Sequence, residues 1–64
     1  MKLITIIKRN ASYILNGRVC ICYFRSNKAE LINIDSLTDE QLNEKWYSSE
    51  WWIEDGDLCL MRGR

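Results

Sequence analysis

The sequence contains no histidine, no proline and only three glycines among its 64 residues. Without histidine, acid–base catalysis would depend on carboxylates, lysines or tyrosines. So small a chain has little surrounding structure to bury these groups and shift their pKa values. A glycine-rich phosphate loop and a nucleophile elbow are also missing. We therefore expect a protein that is not an enzyme.

Long hydrophobic runs, internal repeats and low-complexity tracts are absent as well. No apolar stretch approaches the ~20 residues that span a bilayer, so we expect a soluble chain without a membrane partner. The length suits one domain covering residues 1–64, and a domain of this size has marginal stability because it buries a small share of its surface.

Cysteine is present but in an odd number, at Cys20, Cys22 and Cys59. No signal-like segment precedes these residues, which indicates a reducing, cytoplasmic setting. Three thiols without histidine make a poor zinc site, because structural zinc takes four ligands. The acidic cluster at residues 54–57 lacks the spacing of a calcium loop. We expect buried cysteines, no metal and no cofactor.

The first half of the chain reads as strands. Residues 2–9 are rich in β-branched side chains and are too short for a confident helix, which favours a strand. Asn16-Gly17 lies between two apolar segments, residues 13–15 and 19–24, and this dipeptide predicts a tight hairpin. Residues 25–28 form the next turn, and residues 29–34 a further strand. Both faces of 19–24 are apolar, as in a central strand.

A helix is predicted to begin at Thr38. The Thr38 hydroxyl can accept a hydrogen bond from an exposed amide of the first turn, and Gln41 can complete a capping box. Leu42 and Trp46 are four residues apart, so they share a face that would lie on a sheet. The serines that follow Tyr47 favour competing local hydrogen bonds, so we expect the helix to end at residues 47–49.

A second hairpin is predicted at the C-terminus, with Asp55-Gly56 as its two-residue tip. This tip would pair Glu54 with Asp57 and Trp52 with Cys59. Because side chains alternate along a strand, one face then carries core residues and the other is mostly polar. The core face would hold Trp51, Ile53, Leu58 and Leu60, whereas Trp52 would point outward.

These elements predict an α+β fold, in which one helix packs on one face of a small antiparallel sheet made of a meander and a C-terminal hairpin. The expected order is β-β-β-(β)-α-β-β. A parallel arrangement would need crossover connections for which the chain has too little length.

Charge is strongly segregated along the sequence. Residues 1–28 carry six basic and no acidic residues, whereas residues 30–57 carry nine acidic and one basic residue. Such asymmetry indicates a charged partner, because a surface of one sign steers association with the opposite sign. A basic face and an acidic face could also pair with each other, and a two-fold contact of that kind would close a homodimer.

The leading functional hypothesis is a small binding protein that occupies a surface of a larger protein, as an inhibitor or an accessory protein of phage or mobile-element type. Trp52 would be the anchor, since exposed tryptophans dominate binding hot spots. Acidic residues beside it would set the electrostatic fit. The candidate contact residues are Trp52, Glu50, Glu54, Asp57 and Tyr47.

The alternative is a nucleic-acid-binding regulator that uses the basic N-terminal sheet. Basic residues would contact phosphates, and an interleaved aromatic residue would stack on bases. A near-neutral isoelectric point weakens this hypothesis, because affinity for phosphate depends on positive charge. The candidate residues are Lys8, Arg9, Arg18, Arg25, Lys28 and Tyr23.

Overall fold

The computed structural model describes residues 1–63 and shows an α+β fold with two short helices and a four-stranded sheet. Helix α1 and strands β1 and β2 come first, followed by helix α2 and strands β3 and β4. A 3₁₀ turn precedes α2 at Ile34–Ser36 and another precedes β3 at Ser48–Glu50. The elements are α1 Leu3–Arg9, β1 Arg18–Tyr23, β2 Ala29–Asn33, α2 Asp39–Asn43, β3 Trp51–Glu54 and β4 Asp57–Arg62.

The sheet is mixed, with the strand order β2-β1-β4-β3. The β1–β2 and β3–β4 pairs are antiparallel, but β1 and β4 pair in parallel at its centre. The expectation of a wholly antiparallel sheet is therefore wrong. The crossover that a parallel pair needs is built from residues 24–56, which include β2, α2 and β3.

The predicted first strand is a helix instead. Leu3, Ile6 and Ile7 of α1 are buried, and their spacing is that of one helix face. Burial of this face outweighs the modest preference of β-branched residues for strands. Asn10 ends the helix, because its side-chain amide donates a hydrogen bond of 2.8 Å to the carbonyl of Ile6.

The predicted hairpin at Asn16-Gly17 is also wrong, because residues 13–15 form no strand. Gly17 has a φ of 62° and lies just before β1. The Asn16 amide donates a backbone hydrogen bond of 3.0 Å to Gly56. The dipeptide thus leads the chain into the central strand and connects it to the tip of the β3–β4 hairpin.

Helix α2 begins as predicted but is shorter. Thr38 accepts a hydrogen bond from the Gln41 amide at 3.1 Å, and its own amide donates to the Gln41 side chain at 2.9 Å. The helix ends at Asn43 rather than at 47–49, because residues 44–46 turn away to pair with the N-terminus. The Leu3 amide donates to the Glu44 carbonyl at 2.9 Å, and the Trp46 amide donates to the Met1 carbonyl at 2.8 Å.

The β3–β4 hairpin has the predicted tip and register. Glu54 pairs with Asp57, and Trp52 pairs with Cys59. Asp55 and Gly56 have φ angles of 52° and 81°, as a two-residue turn with two left-handed positions requires.

The helices cover only one face of the sheet. The core joins α1 and Trp46 to Val19 and Ile21 of β1 and to Leu58 and Leu60 of β4. Trp51 and Ile53 pack against this core, as the alternation of side chains predicts. Neither helix of residues 1–63 is long and apolar enough to cross a membrane.

Candidate functional site

The other face of the sheet carries three rows of side chains, and we call it the outer face. Neither the core cluster nor the side chains packed on it include any residue of these rows. The pairing register places each row across neighbouring strands, and the ion pair between β1 and β4 completes the third. The apolar strip is Leu31, Cys20, Cys59 and Trp52; the small row is Ala29, Cys22 and Met61; the polar row is Asn33, Arg18, Asp57 and Glu54.

Trp52 lies at the β3 end of the apolar strip and is partly buried. Its indole N–H donates a hydrogen bond of 3.0 Å to Oε1 of Glu54, two residues along the same strand. This bond restricts the ring before any partner arrives, which lowers the entropy that binding would cost. At the opposite end of the strip, Leu31 is 56 % exposed.

The three cysteines are free thiols in the centre of the outer face. The Sγ atoms of Cys20 and Cys22 lie 3.9 Å apart. Burial raises the pKa of Cys20, and burial raises the pKa of Cys59 to about 11. These two thiols therefore stay protonated at neutral pH and behave as small apolar groups rather than nucleophiles. Within residues 1–63 no group of three or more His, Cys, Asp or Glu side chains is placed to hold a metal ion.

The polar row contains a paired charge at its centre. Nε of Arg18 lies 2.8 Å from Oδ1 of Asp57, and the side-chain amide of Asn16 donates to the same oxygen at 2.9 Å. These hydrogen bonds, that from Arg18 foremost, lower the pKa of Asp57, and the same contact raises the pKa of Arg18. Arg18 is the only cation in the three rows, so Glu54 remains as an anion beyond the ion pair.

The predicted partner-binding residues divide between two regions. Trp52, Glu54 and Asp57 lie together on the outer face. Glu50 instead accepts a hydrogen bond of 2.9 Å from the Tyr47 amide and caps the 3₁₀ turn before β3. Tyr47 is 78 % exposed and lines a separate groove with Met1, Lys45 and Trp46.

The predicted nucleic-acid-binding residues lie on different elements of the fold. Lys8 and Arg9 close α1, whereas Arg25 and Lys28 belong to the connection after β1. That connection is separated from Arg18 by the length of β1, about 16 Å. Arg18 is paired with Asp57, and the Tyr23 hydroxyl donates to Glu30 at 3.2 Å, an interaction that raises the pKa of Tyr23.

Two shallow clefts meet at the ion pair between Glu44 and Arg62. The first, of about 270 Å³, includes Trp46, whose ring centre lies 4.9 Å from the Arg62 guanidinium. The second, of about 300 Å³, includes Glu30 and Glu40. The indole N–H of Trp46 is buried and has no hydrogen-bond partner among the described residues.

Sequence reasoning missed Leu31 and Cys20 as candidate contact residues, together with the buried Cys59 that lies between Cys20 and Trp52. Each lies in a predicted strand, and alternation alone indicates which neighbours share its face. Their alignment with Trp52 depends on the parallel pairing of β1 and β4, which no local pattern indicates.

Comparisons with known proteins gave no match. No protein-family model matches the chain, and neither a search of curated proteins nor a search of solved structures found a match.

Proposed function

We propose that this chain is a binding protein whose outer face docks on a surface of a larger protein. The observation that supports this proposal is the apolar strip, which runs across all four strands and has no helix over it. An apolar centre bordered by a polar row is also the usual anatomy of a protein–protein interface.

The proposed partner surface is apolar with basic residues at one edge. The polar row holds one cation, Arg18, against two anions, Asp57 and Glu54. Because Arg18 already neutralises Asp57, the charge that remains for a partner is the negative charge of Glu54, beside Trp52. A lysine or arginine of the partner, placed next to the surface that contacts Trp52, would complement this charge.

Occupying such a surface would block it for other ligands, and this is how the chain would act as an inhibitor. We propose that this binding occurs in the cytoplasm, because free thiols are typical of proteins in a reducing compartment.

The test compares three forms of the chain as baits in a lysate of the native host, treated with nuclease. We expect the wild type to retain a protein that Trp52→Ala does not retain. Tyr13→Ala, which removes an exposed aromatic ring outside the three rows, should retain it as the wild type does. Circular dichroism checks that each variant is folded.

With the purified partner, calorimetry should show that Trp52→Ala weakens binding by about 2 kcal/mol or more, roughly thirtyfold. A folded Trp52→Ala variant that binds as tightly as the wild type contradicts the proposal. Retention that disappears with nuclease, and affinity that falls steeply with salt, would instead support nucleic-acid binding.

A further inference from the structure

The three rows of the outer face are complementary to themselves under one particular two-fold axis. Two sheets that pack face to face lie ~10 Å apart, with strand directions within about 30° of each other. A two-fold axis parallel to the strands, between β1 and β4, reverses the strand order of the second copy but keeps positions along the strands. In this arrangement β3 of one copy lies opposite β2 of the other, and β4 opposite β1.

This two-fold axis places complementary residues of the two copies opposite each other in the apolar strip and in the polar row. In the apolar strip, Trp52 lies opposite Leu31 of the second copy, so a large ring meets an exposed side chain at each end of the contact. Cys20 and Cys59, at the centre, lie opposite each other.

The polar row is matched by charge. Arg18 lies opposite Asp57 of the second copy, and the reverse contact forms by symmetry. Glu54 lies opposite Asn33, whose side-chain amide can donate to a carboxylate. Every charged group of the row therefore meets an opposite charge or a hydrogen-bond donor.

The other two-fold axis in the plane of the contact is perpendicular to the strands, and it lacks this match. It keeps the strand order but reverses positions along the strands, so the polar row lies opposite the small row. Arg18 would then face Cys22, and Asp57 would face Met61. Burying charges against apolar groups is costly, so this arrangement is disfavoured.

We propose that a second copy of this chain covers the outer face, as a dimer about the axis parallel to the strands. This inference rests on the proposed function in one respect, because the larger partner uses the same face and must displace the second copy. Self-association thus regulates access to Trp52.

The size of the face predicts that the dimer is weak. Four strands span roughly 19 Å and three rows roughly 18 Å, so each copy offers roughly 350 Å². The total of roughly 700 Å² is well below the 1,200–2,000 Å² typical of stable complexes. We expect a dissociation constant on the order of 0.1 mM, which a tighter partner can overcome.

Sedimentation equilibrium over roughly 10 µM to 1 mM tests the dimer. The mass of the wild type should rise towards twice the monomer value. Leu31→Lys should stay monomeric, because it places a charge opposite Trp52, whereas Leu15→Lys changes an exposed leucine outside the three rows and should dimerise as the wild type does.

A second pair of variants tests the axis. Asn33→Lys should tighten the dimer about tenfold, since it gives Glu54 of the other copy a cation at two symmetric places. Adding Glu54→Gln, which keeps an oxygen acceptor for the Trp52 indole, should remove that gain. Asn27→Lys makes the same charge change in the exposed turn after β1 and should give no gain.

A wild type that is monomeric throughout overturns the inference and leaves the Trp52 binding test intact. A gain for Asn33→Lys that survives Glu54→Gln, or no gain at all, overturns the proposed axis. Conversely, the wild type could form the expected dimer while Trp52→Ala binds the larger partner as tightly as the wild type does. This pair of results would refute only the proposed function.

Discussion

Asp57 shows how far the role of a residue depends on contacts that are distant in sequence. In the sequence it is one of several acidic residues near the C-terminus, and the charge pattern predicts that it contacts a partner. In the structure, Arg18 and Asn16 already hydrogen-bond its carboxylate. Asp57 therefore contributes to the local order of the polar row in the free chain.

The lowered pKa of Asp57 predicts how stability depends on pH. Because the folded-state pKa lies below the unfolded value of about 3.9, this contact stabilises the fold above that pH and is lost as the pH falls through the folded-state pKa. We expect the free energy of unfolding of the wild type to fall faster below about pH 4 than that of Asp57→Asn.

Urea denaturation at several acidic pH values provides the measurement. Asn16→Ala removes one of the two donors to the carboxylate, so its pH dependence should lie between those of the wild type and Asp57→Asn. Identical slopes for the wild type and Asp57→Asn would contradict the assigned contact.

Among the secondary-structure elements, the β3–β4 hairpin is predicted correctly from the sequence, whereas α1 is not. The hairpin register follows from its two-residue tip, and both are local in sequence. The amino-acid composition of the seven residues of α1 is typical of a strand, but the spacing of their buried side chains is that of a helix. Only the surface against which Leu3, Ile6 and Ile7 pack decides between the two, and that surface comes from the rest of the chain.

The loop before β1 packs against the tip of the β3–β4 hairpin, so we expect alanine substitutions at Gly17 and Gly56 to lower the free energy of unfolding by different amounts. Gly17→Ala and Gly56→Ala both place a side chain at positive φ, which costs about 1–2 kcal/mol. At Gly56 the new Cβ would also lie 3.1 Å from Nδ2 of Asn16 and 3.2 Å from Cβ of Leu15, whereas nothing lies within 4 Å at Gly17. We expect Gly56→Ala to lower the free energy of unfolding by about 1 kcal/mol more than Gly17→Ala.

Chemical denaturation of the two variants side by side measures this difference. Gly17→Ala is the matched control, since it carries the same chemical change and the same kind of backbone strain. Equal losses would show that the loop at Asn16 does not pack against the hairpin tip.

At the scale of the whole molecule, the fold mixes the charges that the sequence separates. β1 lies in the basic half and β4 follows most of the acidic half, yet they are neighbours at the centre of the sheet. Arg18 pairs with Asp57 as a result. At the centre of the sheet, the fold therefore brings together charges that the sequence separates.

Because the helices cover only one face of the sheet, we expect leucine-to-alanine substitutions on its two faces to lower the free energy of unfolding by very different amounts. Leu58 is fully buried in the core, whereas Leu31 is exposed on the outer face. Leu58→Ala should lower the free energy of unfolding by about 3 kcal/mol, comparable to the whole stability of so small a chain. Leu31→Ala should change it by less than about 0.5 kcal/mol.

Urea denaturation at low protein concentration, where the chain is monomeric, compares the two variants. A large loss for Leu31→Ala under these conditions would mean that the outer face contributes to the monomer core.

Local signals in the sequence predict three features correctly: the capping box at Thr38, the hairpin at Asp55-Gly56 and the side of the sheet on which Trp52 lies. No local signal indicates that residues 3–9 form a helix, that β1 pairs in parallel with β4, or that Leu31, Cys20 and Cys59 line up with Trp52. These features depend on contacts between distant segments, and there the burial of apolar side chains outweighs the local preference of the backbone. The candidate binding face belongs to this second group, because its three rows exist only once four separate strands lie side by side.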